Sequence, residues 1–260
     1  MTQDRADAAR YRLAATAVLL RDAPGGPEAL MLERPHDRGS FAGNWVFPGG
    51  AVDPGDADPA DVALADAHHD HGPPADAHPD DTQPAGADPD PLHAEERAAR
   101  RAAVREVREE TALELRPAQL VPTARWTPPV SAPIRFRTWF YLAEAPVGEL
   151  RLSPEEAVDA RWLTPAAALE QHAAGILSLA PPTWVTLHRL LGQDSVDAAL
   201  TAARQATLHE HTTRRRITPS GDVLLWEPDV AYLDDALFDA EGPRHRLELG
   251  TLPWVYIRSA

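Results

Sequence analysis

The chain predicts a mixed α/β sandwich, and three observations carry that expectation. Leu13 to Arg21 and Glu28 to Arg34 are apolar, strand-prone runs joined by Pro24-Gly25-Gly26-Pro27, which reads as a hairpin. Ala98 to Thr111 is rich in Ala, Arg and Glu and contains no Gly or Pro, so it should form a helix. Strand-like and helix-like stretches then alternate to the end of the chain.

Taken in order, Trp45 to Phe47 follows the hairpin as a short strand running into Pro48-Gly49-Gly50. The stretch from Pro54 to Leu92 is built from Asp, Ala, Pro and His with almost no large apolar side chains, so it cannot form a core and is expected as a disordered-like insertion. The spacing of its His68, His69, His71, His78 and the adjoining His93 matches no standard metal site. Past the helix, Leu115 to Trp126 reads as extended, and Ile134 to Ala143 as a strand rich in aromatic and β-branched residues. Arg161-Trp162-Leu163 is a brief strand, and Pro165 to His172 is a helix capped by Thr164. Pro181 to Leu191 is the next helix, with Pro at its start and Gly192 at its end. Beyond it, Ser195 to His209 reads as helix, while Thr213 to Ile217 and Val223 to Trp226 form a hairpin around Pro219-Ser220-Gly221-Asp222. Residues 1–192 are thus expected to form the principal domain, with 193–260 an α/β extension packed on it. The extension could cap a site, shape a homodimer interface or complete the sheet packing.

Composition narrows the function. A chain of 260 residues can bury a sizeable core, and a formal charge of −15 argues against general binding to nucleic acid. The absence of cysteine removes disulfides, zinc thiolate sites and thiol catalysis together. Met1 to Tyr11 is polar, and no run of eighteen apolar residues occurs, so a cytoplasmic location without a membrane partner is expected.

The helix carries the chemistry. Glu106, Glu109 and Glu110 stand at i, i+3 and i+4 and project from one side, while Ala103, Val104 and Val107 point elsewhere and can pack on a sheet. Like charges this close raise one another's pKa unless a cation sits among them. Oxygen-only ligands suit Mg²⁺ or Mn²⁺. The alternative is a solvated acidic face braced by Arg101, Arg105 and Arg108.

Together with Phe47-Pro48-Gly49-Gly50, the segment Arg105-Glu106-Val107-Arg108-Glu109-Glu110 resembles the Nudix box. That pattern is Gly, five residues, Glu, seven residues, then Arg-Glu-aliphatic-x-Glu-Glu-x-Gly-aliphatic. Gly50 begins it, Asp56 falls where the first glutamate belongs, and Arg105 through Glu110 match without a gap. Ala112 replaces the glycine after the helix, so a less tolerant residue must take positive φ there. Roughly forty extra residues separate Asp56 from the helix, at little closure entropy. The resemblance implies the Nudix fold, a mixed β-sheet between α-helices, and a metal-dependent pyrophosphohydrolase. It implies metal ligation by Glu106, Glu109, Glu110 and the main chain of Gly49, with Arg105 orienting carboxylates. A further catalytic glutamate from a loop before a tryptophan falls to Glu156, ahead of Trp162, with Glu155 its rival.

Arg34 and Gly43, leading to Gly50, are similar to the signature of coenzyme A diphosphatases, although Pro35 stands where the family has a small residue and Arg38 comes one position early. Runs such as Arg125-Trp126-Thr127-Pro128 and Arg135-Phe136-Arg137-Thr138-Trp139-Phe140 resemble the larger members of that branch, which also carry an insertion in the box. The implied reaction takes coenzyme A or acyl-coenzyme A to 3′,5′-ADP and (acyl-)phosphopantetheine. Its phosphates need cations, for which Arg34, Arg38, Arg125, Arg135 and Arg137 are candidates beside Gly50. Trp126 or Trp139 could stack on adenine or serve the core. ADP-ribose, NADH and nucleoside triphosphates are the alternative substrates, and a non-catalytic nucleotide sensor is opposed by the retained carboxylates.

Overall fold

The computed structural model describes residues 11–37, 41–57, 91–133 and 135–259. Arg38, most of the insertion and its His68, His69, His71 and His78 lie outside the described residues. The architecture is the mixed α/β arrangement that the sequence predicts. Its strands are β1 (Arg12–Arg21), β2 (Glu28–Glu33), β3 (Trp45–Val46), β4 (Gly49–Ala51), β5 (Val121–Thr127), β6 (Phe136–Glu144), β7 (Asp159–Leu163), β8 (His209–Thr212), β9 (Arg214–Thr218), β10 (Gly221–Leu225), β11 (Arg244–Glu248) and β12 (Val255–Ser259). Its helices are α1 (Pro91–Thr111), α2 (Pro165–Ala173), α3 (Pro181–Arg189) and α4 (Val196–Gln205).

An eight-stranded sheet runs β3-β2-β1-β6-β5-β8, with β4 paired to β1 and β7 to β2. The long β1 organises it. Along one edge β1 pairs in parallel with β6, from Arg12↔Phe136 to Leu20↔Glu144. On the other it meets β4 near its start, through Thr16↔Gly49, and β2 near its end, through Leu20↔Ala29. The alternation of β1 sends Ala15, Ala17 and Leu19 to one core and Val18 and Leu20 to another.

The first core lies under α1. Ala99, Ala102, Ala103 and Val107 are fully buried there, and such small side chains let the helix approach Ala15 and Ala17 closely. The second core, on the opposite face, gathers Trp126, Phe140, Trp184, Leu187 and Trp226 beneath α3 and α4. Thr164 caps α2 by accepting a hydrogen bond from the Ala167 amide, as its sequence position predicts.

The structure corrects three boundaries. Pro91 takes a first-turn position and starts α1 earlier than Ala98, so Pro91, Leu92 and His93 belong to the helix rather than the insertion. The end of Leu115 to Trp126 is strand, but Pro117–Gln119 is a 3-10 turn, which Pro117 begins with its fixed φ. The chain after Gly192 yields β8, which joins the main sheet in parallel with β5 through Ala124↔His209, and a separate sheet ordered β12-β11-β10-β9. That second sheet is fastened by a buried fork. Arg246 donates to Asp229 from Nε at 2.8 Å and from Nη2 at 2.6 Å, while the Ala231 and His245 amides occupy the same carboxylate.

Candidate active site

The stripe that seats α1 on the sheet is Ala99, Ala102, Ala103, Glu106, Val107 and Glu110, the i, i+3, i+4, i+7 series. Its first members are apolar and its last turn carries carboxylates. Glu106 and Glu110 are therefore driven under the sheet edge, at 8% and 1% exposure, while Glu109 lies outside the stripe and is exposed.

Glu110 is held from two sides. Its Oε2 accepts the Gly49 amide at 2.8 Å, its Oε1 accepts Arg34 Nη1 at 3.1 Å, and the same guanidinium donates to the Gly49 and Glu156 carbonyls at 3.4 Å. Burial nonetheless pushes its pKa up to about 8, outweighing Arg34 and the Gly49 amide. Burial likewise raises Glu106, against the opposing pull of Arg105.

Arg105 is the second clamp. It donates to Glu106 Oε1 at 2.8 Å, Glu109 Oε2 at 3.1 Å, Asp56 Oδ2 at 2.8 Å and the Ala51 carbonyl at 2.9 Å. The bonded Asp56 carboxylate raises the guanidinium above its ordinary value, so it stays charged. Asp56 is itself buried in a 3-10 turn, Pro54–Asp56, where it accepts the Asp53 amide at 2.8 Å. Arg101 also donates to the Asp56 carbonyl.

Glu156 arrives because its loop docks on the end of α1. The Arg151 amide donates to the Thr111 carbonyl at 3.0 Å and the Ser153 amide to the Glu110 carbonyl at 3.1 Å, occupying acceptors that a helix terminus leaves open. The Val158 amide donates to the Glu33 carbonyl at 2.9 Å. Ligand atoms of Glu106, Glu110 and Glu156 consequently lie within 4.8 Å of one another. Residues 154–156 form a turn rather than a helix, and Glu155 points to solvent.

Gly49 is packed against β1, and Gly50 against this cluster. A Cβ on Gly49 would fall 2.3 Å from the Ala15 carbonyl oxygen, and one on Gly50 would fall 2.4 Å from Glu106 Oε1. Ala112 takes φ 59, the left-handed conformation that the missing glycine left to it, and its amide closes the helix on the Arg108 carbonyl at 2.9 Å.

The remaining arginines gather elsewhere. Arg125 pairs with Glu210 at 2.9 Å and with Glu95 at 3.6 Å, and Arg137 with Glu95 at 3.5 Å. Arg135 donates to the Tyr11 hydroxyl. Glu95 is three turns back along α1 from Glu106, about 16 Å by helix rise. Trp126 and Trp139 are buried at 4% and 2% exposure, so neither presents a face to a base; Trp139 spends its indole N–H on Glu95 at 2.8 Å. Sequence reasoning did not find Glu95 as the hub of this group, nor Arg34 as a partner of Glu110. The core stripe running through Glu106 and Glu110 was the available signal for their burial.

The donor set is all oxygen, crowded and short of positive charge, which fits a hard divalent cation. Residues 91–181 match the family model of the NUDIX domain. This chain carries a Nudix domain. Its matched span holds Glu106, Glu110 and Glu156, and the fold adds Gly49 and Gly50 from outside it. The structure is similar to that of a NUDIX hydrolase from Alicyclobacillus acidocaldarius, with 25% identity and a TM-score of 0.54 over 76% of this chain and 97% of that one. A MutT NUDIX hydrolase from Burkholderia pseudomallei is less similar, at 20% identity and a TM-score of 0.43 over 69% of this chain and 97% of that one. The NUDIX domain of Shewanella oneidensis NrtR, solved with ADP ribose, stands at 15% identity and 0.44 over 69% and 85%. No curated protein matches the chain. The Nudix domain and the shared fold of the first of these hydrolases support a hydrolase acting on pyrophosphate bonds.

Proposed function

We propose that the protein is a metal-dependent pyrophosphohydrolase that cleaves a nucleoside diphosphate linked to a second moiety. The convergence of Glu106, Glu110 and Glu156 within 4.8 Å carries this reading. These three would hold Mg²⁺ or Mn²⁺, with the main chain of Gly49 beside them. Bound there, the cation would offset the charge of a diphosphate and make a bound water acidic.

The chain's own residues divide the remaining work. Arg105 keeps Glu106 and Glu109 oriented by paired hydrogen bonds and is itself fixed by Asp56. Arg34 keeps Glu110 and Glu156 together, with Glu156 Oε2 at 3.5 Å from its Nη1. Glu156 is the most exposed of the three carboxylates, and we assign it the water proton. Glu109, exposed and held by Arg105 on its helix, completes the acidic rim.

For the substrate we propose coenzyme A or an acyl-coenzyme A, on the resemblance carried by Arg34 and Gly43. Gly43 takes φ 70, where a Cβ would meet the His36 ring at 2.8 Å, so that position favours glycine. The test is hydrolysis by the purified protein, with Mg²⁺ or Mn²⁺, of coenzyme A, acyl-coenzyme A, ADP-ribose, NADH and nucleoside triphosphates, with Glu106→Gln as control. Turnover of coenzyme A that the control lacks supports site and substrate. Preference for another diphosphate removes the substrate assignment, and binding without turnover of any would make the protein a sensor.

A further inference from the structure

On the face of the main sheet away from α1, a cavity of about 200 Å³ opens between β5, β8, α3 and α4. Its wall is divided. Ala199, Ala202, Ala203 and Ala206 make one side apolar, while Arg189, His209 and His211 line the other.

The polar side is short of partners. His211 is 1% exposed, its ring is stacked on Trp126 at 3.8 Å, and neither ring nitrogen has a hydrogen-bond partner among the described residues. The same is true of Arg189 Nη1 and of Trp126 Nε1, both sealed from solvent and both on residues lining this cavity. Buried polar atoms without partners cost roughly 1–3 kcal/mol each, and folded proteins rarely collect several in one place. Here the four orphaned atoms belong to residues that line one space, and three of them can donate at once when His211 is neutral.

The charge balance has one sign. Burial lowers the pKa of Arg189, and Arg258 lowers it further. Burial and the neighbouring cations and histidines hold His209 at about 4 and His211 at about 2, so both rings are neutral at pH 7 and each can turn an N–H into the cavity. A guanidinium in such a setting is costly unless an anion accompanies it.

We infer that this cavity is a second ligand site, one that takes the oxyanion head of a small molecule on Arg189 and His211 and its short apolar body on the alanine wall of α4. It is separate from the carboxylate cluster, which lies across the sheet under α1, and it needs no metal.

Isothermal titration of the full chain in EDTA tests this, with inorganic phosphate and hexanoate as probes. At least one probe should bind, and the probe that does identifies the head group. Arg189→Gln should weaken binding roughly tenfold or more. Ala202→Phe should do the same by adding bulk to the cavity wall from an exposed position of α4 without removing any polar group, so it decides the question even if Arg189→Gln disturbs folding. Glu106→Gln should bind as the parent protein does. Failure of both probes, unchanged binding in Ala202→Phe, or loss of binding in Glu106→Gln would each overturn the inference.

Discussion

Gly49 and Gly50 are neighbours in the chain, yet the structure assigns them different failures. At Gly50 the backbone sits in an ordinary region, and the nearest atoms to an added Cβ are those of the Glu106 carboxylate, with Oε1 at 2.4 Å and Cδ at 2.5 Å. Ordinary contact begins at 3.4 Å, so the carboxylate must withdraw by about 1 Å. Misplacement of a reacting group by that much can cost about 100-fold, or about 2.7 kcal/mol of barrier. Gly50→Ala should therefore fold normally, with a Tm within about 2 °C, and lose about 100-fold in kcat/KM for its diphosphate substrate. At Gly49 the obstacle is backbone, with the Ala15 oxygen at 2.3 Å and the Thr16 Cα at 2.8 Å, and neither can swing away. Gly49→Ala should cost about 3 kcal/mol, which lowers Tm by roughly 6–12 °C for a chain of this size. Thermal melts and metal-dependent phosphate release on both variants make the comparison. Unaltered activity in Gly50→Ala would refute the claim that the glycine exists to seat Glu106.

Glu110 gives a pH test on the metal-free protein: its folded pKa of about 8 lies above the ordinary 4.5, so ionisation opposes folding, and Tm should fall as pH rises from 4.5 through 8. Glu110→Gln should flatten that slope in EDTA, and Mg²⁺, which should raise the Tm of the parent protein, should raise that of the variant much less. Arg34→Gln should lower kcat tenfold or more with little change in KM if Arg34 positions Glu110 and Glu156; a rise in KM alone would return it to substrate contact. Ala112→Gly relieves a left-handed residue at the exposed end of α1 and should raise Tm by about 2–4 °C, corresponding to about 1 kcal/mol.

Much of this was legible in the residues. The hairpin, α1 and α2 with its Thr164 cap follow from local pattern and turn chemistry, and φ 59 at Ala112 follows from the glycine that is missing there. Three matters depended on tertiary packing. Which glutamates turn inward was set by the stripe from Ala99 to Glu110, which separates Glu110 from Glu109 despite their adjacency. Arg34, read as a substrate contact, spends its guanidinium on Glu110 and Gly49 because the α1 stripe delivers a buried carboxylate to it. Arg125, Arg135 and Arg137 lie on or beside β5 and β6, but Glu95 of α1 pairs with Arg125 and Arg137 and Tyr11, just before β1, with Arg135, partners that the packing of α1 and β1 on these strands supplies. His209–Thr212 carries no strong strand signal, and it becomes a strand because β5 offers it an open edge.

The grip of Arg101 and Arg105 on Asp56 has a consequence for how this chain can be rebuilt. Asp56 is fastened beside the middle of α1, and the helix begins at Pro91, about 15 Å away along its axis. About five extended residues would bridge that interval. The residues that make this clamp all lie outside 58–90, so a variant in which a short peptide joins Ala57 to Pro91 should keep the carboxylate cluster in register, and metal-dependent phosphate release by that variant checks it.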